Sequence, residues 1–187
     1  MIVFGVDPGT IRTGFGVIRA EGNRVEPLGY GVIRALSAGK GDYGARLLSI
    51  ARGLEEELGR YPVDVVALEE AFFGKSVSSA LRIGEARGVV LVTAARLGLQ
   101  VAQYPPATVK KTVVGDGGAV KERVQEMVKV HLGLEDKPKP DAADALAIAL
   151  CHAFRGPQAD LFGRTRGRRD RRRGPGGREA PPFSSFP

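Results

Sequence analysis

Four carboxylates carry the chemistry that this sequence offers. Asp7 follows the apolar run Met1-Ile-Val-Phe-Gly-Val6, and Glu69 closes the run Val63-Asp-Val-Val-Ala-Leu68. Asp141 and Asp144 lie three residues apart at the start of a helical segment. Two acids at strand ends and two on one helical face can converge on a hard divalent cation. Oxygen-only ligands select Mg²⁺ or Mn²⁺ over zinc. Nothing in the chain competes for that role, because Cys151 is a lone cysteine and His131 and His152 are isolated. Two such ions roughly 4 Å apart can activate water and stabilise a leaving oxygen, the requirement of phosphodiester cleavage.

Each acid taken singly also fits a bland role. Asp7, before Pro8-Gly9-Thr10, can simply cap a hairpin turn. There, Gly9 is expected where the backbone has a positive φ or approaches a phosphate. Glu69 and Glu70 can be a solvated strand end, and alternation along a strand lets only one of them face the Asp7 side. Asp141 and Asp144 after Pro140 suit the first turn of any helix. The alanines around them (Ala142, Ala143, Ala145, Ala147, Ala149) permit close approach to a sheet. Acids brought into such a partly buried site repel one another unless a cation is shared.

The elements that must position these groups are legible as periodicities. Ile2–Val6, Gly14–Arg19 and Pro27–Arg34 read as short strands joined by Gly-bearing turns such as Glu21-Gly22-Asn23. Tyr43–Leu58 has helical spacing, Val63–Leu68 is a buried strand, Ser78–Leu97 is a long helix, and Leu99–Tyr104 is a strand ended by Pro105-Pro106. Ala107–Val114, Val120–Leu132 and Asp141–Phe154 read as helices. This order predicts an α/β fold: a five-stranded mixed sheet, opened by an antiparallel meander, with helices on both faces.

Basic and aromatic residues cluster near the acids in sequence. Lys110 and Lys111, and Lys121 beyond the glycine-rich stretch Gly115–Gly118, are placed to grip phosphates. Phe72 and Phe73 form an adjacent aromatic pair in a loop, where one ring can offer a stacking surface to a base. Lys75, Arg82 and Arg87, in and after that loop, complete the set of candidate DNA contacts. A solvated helix face explains the lysines and arginines equally well.

The chain has 187 residues, 43% apolar and 26% charged, which fits one folded domain over residues 1–154. Its net charge is +7, and residues 155–187 supply +6 of it, as nine arginines against three acids. That Arg-rich tail lacks apolar periodicity and is expected to be disordered, either as a loose electrostatic arm for nucleic acid or as a solubilising segment. No apolar run is long enough to cross a bilayer and no secretory leader is evident, so a cytoplasmic location is expected.

These residues together resemble the bacterial RuvC family of crossover-junction (Holliday junction) endonucleases. The likeness runs from Ile2 to about His152. It is carried by Gly5-Val-Asp7-Pro-Gly-Thr with Thr13-Gly-Phe-Gly-Val17, Ala67-Leu-Glu69 with Phe72, and Ser79–Gly88. Val109-Lys110-Lys-Thr-Val-Val-Gly115 and Asp141–Ala149 complete it. The resemblance implies a ribonuclease-H-like fold, a homodimer, and paired metal-dependent nicks in four-way junction DNA during recombination and repair. It implies Asp7, Glu69, Asp141 and Asp144 as metal-binding acids, holding Mg²⁺ or Mn²⁺, two per site. Lys110 and Lys121 become active-site lysines, and Phe72 the aromatic that stacks at the crossover. It favours Glu69 over Glu70, and it implies the RuvA and RuvB branch-migration proteins as partners. The Arg-rich tail departs from the family pattern.

Two other activities share parts of this pattern. Asp7…Gly14 fits the phosphate loop of sugar kinases and actin-like ATPases, although those proteins close two such domains around a cleft. A nuclease of the same fold could also act on RNA–DNA hybrids or RNA. A binding module without nuclease activity would leave the four acids unexplained.

Overall fold

The computed structural model describes residues 1–36, 42–70 and 77–164, with side chains to residue 156. The expected meander is present. β1 (Ile2–Asp7), β2 (Arg12–Glu21) and β3 (Arg24–Arg34) are paired antiparallel in sequence order. β2 and β3 are longer than their apolar cores implied, because ladder pairing extends to polar ends that alternation does not mark. The β2–β3 turn is the two-residue Gly22-Asn23 connection, with Gly22 at φ 59°. A tight hairpin turn of this kind needs positive φ to match the strand twist.

The chain then crosses to the other side of β1. α1 (Tyr43–Gly59) leads to β4 (Val65–Glu69), and α2 (Val77–Arg96) leads to β5 (Gln100–Tyr104). Asp42 caps α1, its carboxylate accepting from the Ala45 N–H at 2.7 Å. β4 lies parallel to β1 and β5 parallel to β4, so the sheet order is β3-β2-β1-β4-β5. α3 (Pro106–Val114), α4 (Lys121–Leu132) and α5 (Pro140–Arg164) follow. α5 is broken at Gly156 (φ 14°, ψ −109°), so its helical backbone runs past Phe154. The residues from 165 onward, with most of the Arg-rich tail, lie outside the described residues, as do residues 71–76, on which the Phe72, Phe73 and Lys75 expectations fall.

Each face of the sheet has its own core. Phe4, Val6, Val17, Val66 and Leu68 pack with Ile50 and Leu54 of α1 and Val90 and Ala94 of α2. Val3, Ile18, Val65 and Ala67 point the other way, against α5 and the apolar sides of α3 and α4. Helices therefore cover both faces. Fully burying side chains such as Phe4 or Leu146 stabilises the fold by roughly 1.5–3 kcal/mol each. The same alternation decides which way the strand-end acids point.

Candidate active site

Asp7 and Glu69 are put side by side by strand register. β1 and β4 run parallel with Val6 beside Leu68, and the next residue on each strand is the acid. Val3 and Gly5 on β1, and Val65 and Ala67 on β4, share the α5 face, so Asp7 and Glu69 share it too. Glu70 is exposed, and its backbone N–H donates to the Tyr104 carbonyl at 2.8 Å. Of that pair, it is Glu69 that lines the cleft beside Asp7.

α5 delivers Asp141 and Asp144 onto the same face, and glycines let it come close. A methyl group on Gly5 would overlap the Ala145 carbonyl oxygen. One on Gly14 would overlap the Asp141 carbonyl oxygen. The helix therefore rests on bare backbone, and its own inward residues, Ala142, Ala143, Ala145 and Ala149, are small and buried. The alanines were readable in the sequence as permitting this approach; the glycines opposite them were not assigned to it.

The resulting cleft has a volume of about 260 Å³. Asp7, Glu69, Asp144, Lys110 and Lys121 line it, over apolar walls from Pro106, Val109, Val124, Ala147 and Ile148. Lys121 Nζ donates to Asp144 Oδ2 at 3.3 Å. Asp141 stands at the rim, its Oδ2 3.3 Å from Arg12 Nε. Arg12 was missed in the sequence because it lies ahead of the apolar core of its strand. Thr13, fully buried, closes the loop after Asp7: its hydroxyl donates to the Gly9 carbonyl at 2.9 Å and accepts from the Gly9 N–H at 3.3 Å.

Of the two reasons expected for a glycine at position 9, positive φ does not hold; the glycines that have it are Gly22, Gly98, Gly115 and Gly133, among the described residues. A side chain at Gly9 would strike the Arg12 carbonyl oxygen, so this glycine serves the folding of its own loop.

The electrostatics of the cleft are those of crowded anions. Burial first, then the charges of Asp144, Glu69 and Asp141, together push the Asp7 carboxyl up from 3.8 to about 7, against the pull of Lys121. Burial, then Asp144, raises Glu69. Burial also raises Asp144 despite Lys121. In return Asp144 above all holds the Lys121 ammonium more firmly protonated. Among the described residues no three ligand groups are close enough together to cage an ion by themselves. The donor set nevertheless fits Mg²⁺, which keeps several waters and takes one or two carboxylates together with substrate phosphate oxygens.

The remaining candidates are scattered. Lys111 and Arg82 are exposed on α3 and α2, outside the cleft. Arg87 is not on a surface open to DNA. It is only 8% exposed, and its Nη2 donates to Gln103 Oε1 at 2.5 Å. Its charge lies close enough to Glu69 to oppose part of the upward push on that acid, which makes it an internal support of the strand-end acid.

This architecture defines a class: a ribonuclease-H-like α/β domain with a carboxylate cleft where β1 and β4 end under a close-packed helix. The family model described as "Crossover junction endodeoxyribonuclease RuvC" matches residues 3–152. A relative of that name from Heliobacterium modesticaldum is 47% identical over 154 residues, 82% of this chain and 94% of its own. One from Moorella thermoacetica is 47% identical over 84% of this chain and 93% of its own. The solved structure "T. thermophilus RuvC in complex with Holliday junction substrate" is similar at TM-score 0.77 and 38% identity, covering 84% of this chain and 96% of that one. The chain belongs to the RuvC family, the crossover junction endodeoxyribonucleases.

Proposed function

We propose that this protein is a structure-selective endonuclease that resolves Holliday junctions by paired, metal-dependent nicks in opposing DNA strands. The observation that carries the chemistry is the convergence of Asp7, Glu69 and Asp144 with Lys110 and Lys121 in one cleft. Anions so crowded stay ionised only beside positive charge. Asp7, Glu69, Asp144 and, from the rim, Asp141 would hold the ions, Mg²⁺ or Mn²⁺, two per site. When bound, the ions supply a water nucleophile at neutral pH and charge stabilisation at the leaving oxygen.

The chain's own groups do the rest. Asp7 and Glu69, fixed by strand pairing, have little freedom to move as substrate arrives. Lys121, steadied by Asp144, holds its ammonium in the cleft, where it would stabilise the 3′ oxygen as its bond to phosphorus breaks. Lys110 faces the same cleft and neutralises a non-bridging phosphate oxygen. Hydrolysis then leaves a 5′-phosphate and a 3′-hydroxyl. The apolar walls at Val109, Val124 and Ile148 limit the water around the reacting phosphate.

Paired nicking calls for two sites related by a two-fold axis, since the junction itself has near two-fold symmetry. α2 supports a homodimer. Val77, Leu81 and Val92 are 79%, 63% and 61% exposed along one helical stripe, with Gly84 and Gly88 open between them. An apolar stripe of this length marks an interaction surface. Residues 1–154 are the catalytic unit in this reading, and the enzyme works in the cytoplasm beside the RuvA and RuvB branch-migration proteins. No helix among the described residues is long and apolar enough to cross a membrane.

The test is cleavage of end-labelled four-way junction, linear duplex and RNA–DNA hybrid side by side, with Mn²⁺ titrated into each. Symmetric nicks confined to the junction are expected. Equal cutting of duplex or hybrid would overturn junction selectivity.

A further inference from the structure

A second concave surface lies on the other side of the α5 N-terminus from the acid cleft. It has a volume of about 340 Å³, and Tyr30, Val32, Arg34, Lys137, Lys139 and Ala142 line it. Its place follows from register. Asp7 pairs with Gly14, and Gly14 pairs with Val32. Gly16 pairs with Tyr30, and Arg12 with Arg34. Residues directly opposite one another in antiparallel strands point to the same face. Tyr30, Val32 and Arg34 therefore project from the same face as Asp7, two strands away, or roughly 10 Å. The first two turns of α5, with Ala142 facing the groove and Asp144 facing the cleft, stand between the two.

The groove's chemistry is cationic with one aromatic. Lys137 is paired with Glu126 at 2.6 Å. Arg34 and Lys139 are exposed and make no ion pair among the described residues. Tyr30 is 42% exposed. β3 is the edge strand of the sheet, so no further strand covers this side. Arg12, beside Arg34, already offsets the rim acid Asp141, which removes the main repulsion for a polyanion crossing from cleft to groove.

We infer that this groove is a second nucleic-acid contact: Arg34 and Lys139 bind backbone phosphates of the junction arm that leaves the cleft across the α5 N-terminus, with Tyr30 lying against the sugar–phosphate chain. The inference rests on the junction-nuclease reading and extends it to the course of one arm. The groove contributes affinity and arm placement, and the chemical step belongs to the cleft.

The experiment measures junction binding by fluorescence anisotropy in EDTA, where no strand is cut, using the full chain at 50–200 mM salt. The double variant Arg34→Glu/Lys139→Glu is compared with wild type and with Arg24→Glu/Arg52→Glu. That control makes the same change in net charge at the far end of β3 and on α1, across the sheet. Loss of two phosphate contacts per protomer, four in the dimer, lowers the salt slope by about 3.6, so affinity falls about a hundredfold less steeply over that salt range. The groove variant is expected to show this flattened slope and a raised Kd. The control should keep the wild-type slope. An unchanged slope in the groove variant, or an equal loss in the control, overturns the inference. Failure of wild type to bind the junction at all would instead sink the junction-nuclease reading itself. Thermal melts of both variants within a few degrees of wild type exclude misfolding as the cause.

Discussion

Lys121 Nζ sits 3.3 Å from Asp144 Oδ2, reaching from the first residue of α4 to the second turn of α5. The pair joins a cation and one of the crowded acids across the mouth of the cleft, so a phosphate entering there meets an ammonium already held in place. Removing one preorganised charge-stabilising donor costs about 10²–10³ in rate. Lys121→Ala is expected to lose that much in single-turnover junction cleavage, with junction affinity changed several-fold at most. A variant cutting at near wild-type rate would remove Lys121 from the chemistry.

Asp7→Asn should abolish cleavage and leave junction binding intact or tighter, because a negative charge beside phosphate is lost. Anisotropy and gel cleavage on the same preparation separate the two effects. Retained cutting would contradict the assignment of Asp7 to the metal site.

The raised Asp7 pKa makes a prediction about stability without metal. The folded state holds this proton up to about pH 7, whereas an unfolded aspartate releases it near 3.8. The folded state thus binds more protons between those values, and stability falls as pH rises through that window. A difference of this size corresponds to a few kcal/mol at most. In EDTA, Tm is expected to drop between pH 5 and pH 8. The drop should shrink in Asp7→Asn and on adding Mg²⁺. A Tm indifferent to pH in the wild type would contradict the crowding of these acids.

Gly14→Ala should lift the first turn of α5. Overpacking of this kind costs about 1–3 kcal/mol. An error of about 1 Å in the position of reacting groups can cost about a hundredfold in rate. Activity is therefore expected to fall at temperatures where circular dichroism still reports a folded protein.

Leu81→Glu with Val92→Glu places charges on the exposed stripe of α2. Sedimentation should then report monomers, and junction cleavage should yield single nicks in place of paired ones. Dimers in the double variant would move the interface elsewhere. Phe72→Ala, outside the described residues, should impair cutting through lost junction distortion and leave metal affinity unchanged.

Much of this was readable from residue order. Alternation and turn chemistry located all five strands, and the Asp7 and Glu69 strand ends were visible as acids closing apolar runs. Helical spacing marked Asp141 and Asp144 as one face. What one-dimensional pattern could not supply was pairing. Nothing local tells that Arg12 folds back to Asp141, or that Gly14 faces α5, because those contacts bridge segments more than a hundred residues apart. Arg87 shows the opposite failure. An arginine on a helix reads as a solvent-facing cation, and only the packing of α2 against β5 reveals that it is enclosed beside Gln103.

The backbone-on-backbone seat of α5 limits how this protein can change. A side chain that props the helix away from β1 or β2 displaces Asp141 and Asp144 in one motion, so integrity of the domain and competence of the cleft are lost at the same positions. Lineages and engineers alike should find this seam closed to drift, and new properties must come from the rim, the sheet edge and the outward helix faces.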